Sequence, residues 1–147
     1  KILAKVQGYD LAIMDCPPSM GVIVVNAIVA ADAVLIPTQP TPVDIKSVKR
    51  FISTIRDIQE ATNTGGEILG ILPTFYDRRY LTHQAAIEAM RAADWPVTAA
   101  GIGRSVRVSE AAAIGQSVLA YEPDNPQAEN YRLLGKEILQ WLKNKRT

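Results

Sequence analysis

This 147-residue sequence has only one cysteine and one histidine to offer as thiolate or imidazole metal ligands. Cys16 has no partner for an internal disulfide, and a thiolate cluster site or a His/Cys zinc set cannot be assembled from so few ligands. An excess of one charge is lacking too. Lys and Arg total 16 against 15 Asp and Glu, a net charge of +1. No global field therefore selects nucleic acid or an anionic membrane, and any such affinity must come from local clusters. No apolar stretch reaches the roughly 20 residues of a transmembrane helix, and no internal repeat or low-complexity tract is visible. What remains is 48% hydrophobic and 21% charged, the balance of a globular chain. Its length suits one domain, residues 1–147, burying roughly 70% of its unfolded surface.

The most informative stretch is Leu11-Ala12-Ile13-Met14-Asp15-Cys16-Pro17-Pro18-Ser19. A continuous apolar run reads as a strand buried on both faces, as in a parallel sheet. Asp15 then sits at the carboxyl end of that strand, where open α/β sheets take their ligands. Pro17 and Pro18 lack an N–H and fix φ, so the chain leaves the sheet on a stiff path. A carboxylate in that position can hold a hydrated Mg²⁺ beside a rigid sensing loop. The plain alternative is a residue that ends a strand or caps the next helix.

Further along, a helix apolar almost all round, and so well buried, is expected from Ser19 or Gly21 to Ala31. A strand at 33–36 follows, stopped by Pro37. Thr41-Pro42-Val43-Asp44 combines an N-cap, a proline at the first helical position and a first-turn acid. Ile45, Val48, Phe51, Ile55 and Ile58 continue at helical spacing to about Ala61. Asn63-Thr64-Gly65-Gly66 breaks that helix, and residues 68–72 form a third strand ending at Pro73. After a polar, aromatic loop at 74–80, Thr82 is expected to cap a helix running to about Ala93. A weaker strand at 97–102, a helix from Ser109 to Gly115 and a short strand at 118–121 come next. The last helix, 128–143, carries the apolar stripe Tyr131, Leu134, Ile138 and Trp141. Cations at its end can lie on a membrane, but they also complement the helix dipole, and packing of the stripe on the sheet is the favoured reading. This alternation predicts an α/β fold, a mostly parallel sheet with helices on both faces. His83, without a metal-binding partner, reads as a solvated helix-start residue, and Cys16 as a small buried side chain.

Residues Tyr9-Asp10 through Ser19 resemble the Walker B and switch II segment of the ParA/Soj/MinD family of deviant-Walker P-loop ATPases. The resemblance continues at Thr74-Phe75-Tyr76-Asp77-Arg78-Arg79 and at Arg104-Ser105-Val106-Arg107-Val108-Ser109-Glu110-Ala111. It is greatest to the ParA/Soj branch, whose members partition plasmids and chromosomes. The resemblance implies ATP and Mg²⁺ as cofactors, Asp15 in the metal's water shell, and Pro17, Pro18 and Ser19 as a nucleotide-sensing switch. It implies a base pocket walled by Thr74 and the Gly103-Arg104 backbone, and contacts of Arg79 and Arg107 with nonspecific DNA. A nucleotide-dependent homodimer, a ParB-like partner and a place on the nucleoid in the bacterial cytoplasm follow from it as well, and membrane is not among the expected partners. Many ParA-like chains have proline before that arginine, whereas Gly103 leaves a looser backbone.

The family's glycine-rich loop, which cradles phosphates on backbone N–H groups, has no counterpart here. No G-x-x-x-x-G-K-S/T occurs, and Gly65-Gly66 is followed by Glu67, a repulsive charge beside a phosphate. The expectation is the C-terminal part of a ParA-like ATPase domain, lacking its N-terminal phosphate-loop strand and inactive as an ATPase alone. In that fold the missing strand pairs with both 11–15 and 33–37, so both would lose a neighbour. The alternatives are a truncated, non-enzymatic DNA- or protein-binding module and a MinD-like membrane-associated ATPase.

Overall fold

The structure, a computed structural model, describes residues 8–17 and 19–145. Its elements follow in the order α1 (Val22–Ala30), β1 (Ala33–Thr38), α2 (Pro42–Thr62), β2 (Glu67–Pro73), α3 (Leu81–Ala92), α4 (Val106–Ala113), α5 (Val118–Tyr121) and α6 (Pro126–Lys145). β1 and β2 pair in parallel, from Ala33 opposite Glu67 to Thr38 opposite Pro73. Two isolated parallel bridges, Ile71 with Val97 and Thr74 with Ile102, carry the sheet one chain further. The strand expected at 97–102 is therefore met only at its two ends. Between them side chains take over the backbone groups: the Thr98 hydroxyl donates to the Ala100 carbonyl at 2.7 Å. Glu137 of α6 accepts from the N–H groups of Ala99 (3.1 Å) and Ala100 (2.8 Å).

Successive strand residues point to opposite faces, and Ile71 and Leu72 feed two separate cores. Ile36 and Ile71 pack with Val24 and Ile28 of α1, Ile52 and Ile55 of α2, and Ile87 and Met90 of α3. Leu72 packs on the other side with Ala100, Ile102 and Leu134 of α6, flanked by Tyr131 and Ile138. Helices thus lie on both faces of a parallel sheet, as the alternation of the sequence required. Tyr131, Leu134 and Ile138 of the α6 stripe are spent on this packing, whereas the Trp141 indole bonds Glu67; no helix among the described residues is long and apolar enough to cross a membrane.

The long helix α2 starts as expected. Thr41 Oγ1 accepts from the Asp44 N–H at 3.3 Å, Pro42 opens the helix, and Asn63 ends it in the left-handed region at φ 49°. A Cβ on Gly66 would stand 2.4 Å from the backbone nitrogen of Ala33, so only glycine lets β2 enter against β1 there.

Several expectations are corrected. Residues 11–15 form no strand; Leu11, Ile13 and Met14 are exposed in irregular backbone, because no chain among the described residues offers them a ladder. Pro37 lies inside β1 instead of ending it, which a strand at the sheet's edge tolerates because the absent N–H breaks no ladder there. α1 buries only Val24 and Ile28, while Val22 and Ile23 are exposed. α3 begins at Leu81 after Tyr80 rather than with Thr82 as its cap, and α4 begins at Val106, ahead of Ser109. The short strand expected at 118–121 is helix α5, because the Ser117 side chain accepts from the Ala120 N–H at 3.3 Å and caps the turn. α6 begins at Pro126, two residues before its expected start.

Ile55 is fully buried where α2 meets the sheet. Truncation to alanine removes three methyl or methylene groups and leaves a cavity, so Ile55→Ala is expected to cost about 2–5 kcal/mol in a denaturant titration.

Candidate functional site

The carboxyl ends of β2 and of the 97–102 segment lie side by side because Thr74 bridges Ile102. Around them runs a cleft of about 990 Å³. The Thr74 N–H donates to the Thr38 carbonyl at 2.7 Å, and the Tyr76 N–H to the Ile102 carbonyl at 3.1 Å, so the loops leaving the two segments are fixed to each other. Gly103 and Arg104 line the cleft beside Phe75 and Tyr76. Of the three residues expected at a base wall, Gly103 and Arg104 line the cleft, whereas Thr74 is near them through its bridge to Ile102 and is not part of the lining.

Phe75 holds φ at 49°, a region costly for a bulky side chain, and half of its surface is exposed. The Arg104 guanidinium lies over its ring, 5.5 Å from the centroid, in cation–π contact. Arg78, Arg79 and Arg91 share the cleft with Arg104, and Asp77 is the one acid in its lining. A chain of nearly neutral net charge therefore concentrates positive charge at this end of the sheet. Phe75 and Arg91 could not be assigned to the site from sequence, because nothing in local pattern reports a left-handed φ or a helix end returning to the cleft.

Asp77 is bound to Arg79. The guanidinium donates to both carboxylate oxygens, at 2.7 Å from Nη2, and the Arg79 backbone N–H adds a bond at 2.9 Å. The side-chain bonds from Arg79, followed by its backbone N–H, bring the Asp77 carboxyl down from an ordinary 3.8 to about 2. The Asp77 N–H donates to His83 Nδ1 at 3.2 Å, which leaves the neutral ring's proton on Nε2. His83 is thus half-buried, with Tyr80 edge-on at 5.2 Å, and it braces the loop rather than standing in solvent as the sequence suggested.

Arg107 lies apart, on α4, and does not line the cleft. It is paired with Glu110 at 2.8 Å and Glu122 at 3.5 Å. The hydrogen bond from Arg107 holds the Glu110 carboxyl below its usual range. Both arginines expected on DNA are therefore exposed and already ion-paired, in contacts that are individually weak and exchangeable.

Asp15 stands outside this assembly. It is exposed in irregular backbone, as are Pro17 and Ser19, whereas Pro18 lies outside the described residues. Cys16 is an exposed free thiol and not a buried side chain. No group of three or more His, Cys, Asp or Glu that could hold a metal occurs among the described residues. Mg²⁺ at such sites relies on one or two carboxylates together with substrate phosphates, and among the described residues no backbone N–H group donates to Asp15. The described residues do not fit a Mg²⁺–phosphate site.

A family model described as an AAA domain matches residues 1–68. The chain is 33% identical over 138 residues to the chromosome-partitioning ATPase Soj of Thermus thermophilus, covering 90% of this chain and 54% of the relative. It is 37% identical over 133 residues to the sporulation initiation inhibitor protein Soj of Bacillus subtilis, covering 90% and 53%. The chain spans about half the length of the curated relatives it matches. The crystal structure of the cell division ATPase MinD from Pyrococcus furiosus has the same fold, with a TM-score of 0.70 at 21% identity over 86% of this chain and 50% of that one.

The Asp77–Arg79 pair makes a direct test. Its contribution to stability is present above pH 3.8 and is lost as the pH falls through about 2. In Arg79→Gln, the Asp77 carboxyl resonance followed by NMR is expected to titrate back near 3.8; a midpoint still near 2 would assign the effect to another partner.

Proposed function

Because the chain belongs to the ParA/Soj/MinD family of ATPases, we propose that it forms the C-terminal part of a ParA/Soj-like partitioning ATPase domain, a single domain spanning residues 1–147. In this reading ATP drives homodimerisation, the dimer holds nonspecific DNA on the bacterial nucleoid, and a ParB-like protein stimulates release. The observation that carries the reading is the Thr74–Ile102 bridge, which brings the two family-like loops together at one end of a parallel sheet. Thr74, Gly103 and Arg104 then wall the base. Arg79 and Arg107 exchange their carboxylate partners for DNA phosphates, which give salt-dependent affinity without sequence preference.

Asp15, Pro17, Pro18 and Ser19 take up their metal-shell and switch roles only where residues 11–15 are held as a strand in the sheet. In the complete protein, Asp15→Ala is expected to abolish Mg-ATP-dependent dimerisation in a sedimentation experiment; dimerisation at the wild-type level would remove Asp15 from the site.

The exposed, irregular setting of Asp15 favours a second reading, a nucleotide-free DNA-binding module. One experiment separates the two. Arg79→Glu combined with Arg107→Glu should eliminate DNA retention at moderate salt, and it should lower the slope of log affinity against log salt by about 2. In the ATPase reading the wild-type retention requires ATP, and in the module reading it does not. Retention unchanged by the double substitution would dismiss both arginines.

A further inference from the structure

Gly103 and Gln127 are 24 residues apart in sequence and form one structural unit. The Gly103 N–H donates to Gln127 Oε1 at 2.6 Å, and the Asn130 side-chain amide donates to the same oxygen at 3.3 Å. Two donors on one atom fix which end of the Gln127 amide is oxygen. The fit at 103 is also tight, and a side chain there would require its neighbours to shift by a few tenths of an ångström. A Cβ there would stand 3.0 Å from Gln127 Nε2 and 3.2 Å from the Tyr76 carbonyl, and a proline would have no N–H to donate. Gln127 is half-buried in the first turn of α6, and the Asn125 side chain accepts from its N–H at 2.9 Å. Gln127 therefore ties the base-wall loop to a helix that is itself anchored in the second core through Leu134.

We propose that Gln127 is a positioning residue that holds the Gly103–Arg104 main chain against α6 and so sets the base side of the cleft. A glycine in a loop leaves the backbone free, and the hydrogen bond from Gly103 to Gln127 removes that freedom from outside the loop. The bond also occupies the Gly103 N–H, so that donor is not offered to a ligand base. The extension to a base rests on the nucleotide reading above, whereas the positioning of Gly103 does not.

The test uses Gln127→Ala and Gln127→Glu in the complete protein. The first readout is amide hydrogen exchange. Gln127→Ala is expected to speed exchange at Gly103 at least tenfold while leaving the Tyr76 and Ile102 amides unchanged. Gln127→Glu, which keeps an acceptor in place, is expected to retain the protection. Unchanged Gly103 exchange in Gln127→Ala, or equal loss at Tyr76 and Ile102, would overturn the proposal. The second readout is binding of ATP against inorganic triphosphate. Gln127→Ala is expected to weaken ATP about tenfold and to leave triphosphate unaffected; a parallel loss of both would overturn the base-side role. A wild-type protein that binds neither probe would overturn the nucleotide reading and that role together, and the Gly103 exchange rates would still decide the positioning.

Discussion

The parallel ladder between β1 and β2, extended by the two bridges to 97–102, is the constraint on which everything else in the molecule depends. It sets the two helical layers on either side through the alternation of Ile71 and Leu72. It also brings the loops after Pro73 and Ile102 to the same end, since parallel strands release their chains in the same direction. The basic cleft is a by-product of that geometry. Arg104 is distant in sequence from Arg78 and Arg79, and it shares their cleft only because the chains they follow are neighbours.

The third chain of the sheet is a partial strand, and α6 completes it. At 98–101 the backbone no longer pairs with β2 in regular register, and groups left without partners in a half-buried setting are costly. Glu137 accepts from the N–H groups of Ala99 and Ala100, and the Thr98 hydroxyl donates to the Ala100 carbonyl. Gln127 extends the arrangement to Gly103. One helix therefore supplies both apolar packing for the second core and polar side chains for the same segment. A substitution on α6 far from the cleft can thus reach the loop at its rim.

What could be read from the sequence were features encoded within a few residues. Thr41, Pro42 and Asp44 announce the start of α2 by local hydrogen-bonding chemistry, and the apolar runs of β1 and β2 announce buried strands. The family-like loops were equally legible, because their motifs are contiguous. Features that depend on a distant partner were not. Residues 11–15 have the composition of a buried strand, yet composition cannot supply the neighbouring chain that a strand requires. Residues 118–121 are apolar enough for a strand, and a single hydroxyl on Ser117 turns them into a helix. The pairing of Gly103 with Gln127 leaves no local trace, because each residue is unremarkable without the other.

The far end of α6 meets the beginning of β2, where the Trp141 indole N–H donates to the Glu67 carboxylate and the Lys145 ammonium lies 3.3 Å from the same carboxylate. That ammonium also stands 5.7 Å from the centre of the indole ring. The chain has only two tryptophans, and the other, Trp95, packs on the opposite face of the sheet. Trp141 is consequently a built-in optical reporter. A half-buried indole with a carboxylate acceptor and a cation beside it changes emission when either is withdrawn, so undocking of this helix can be watched in the native protein without attaching a dye.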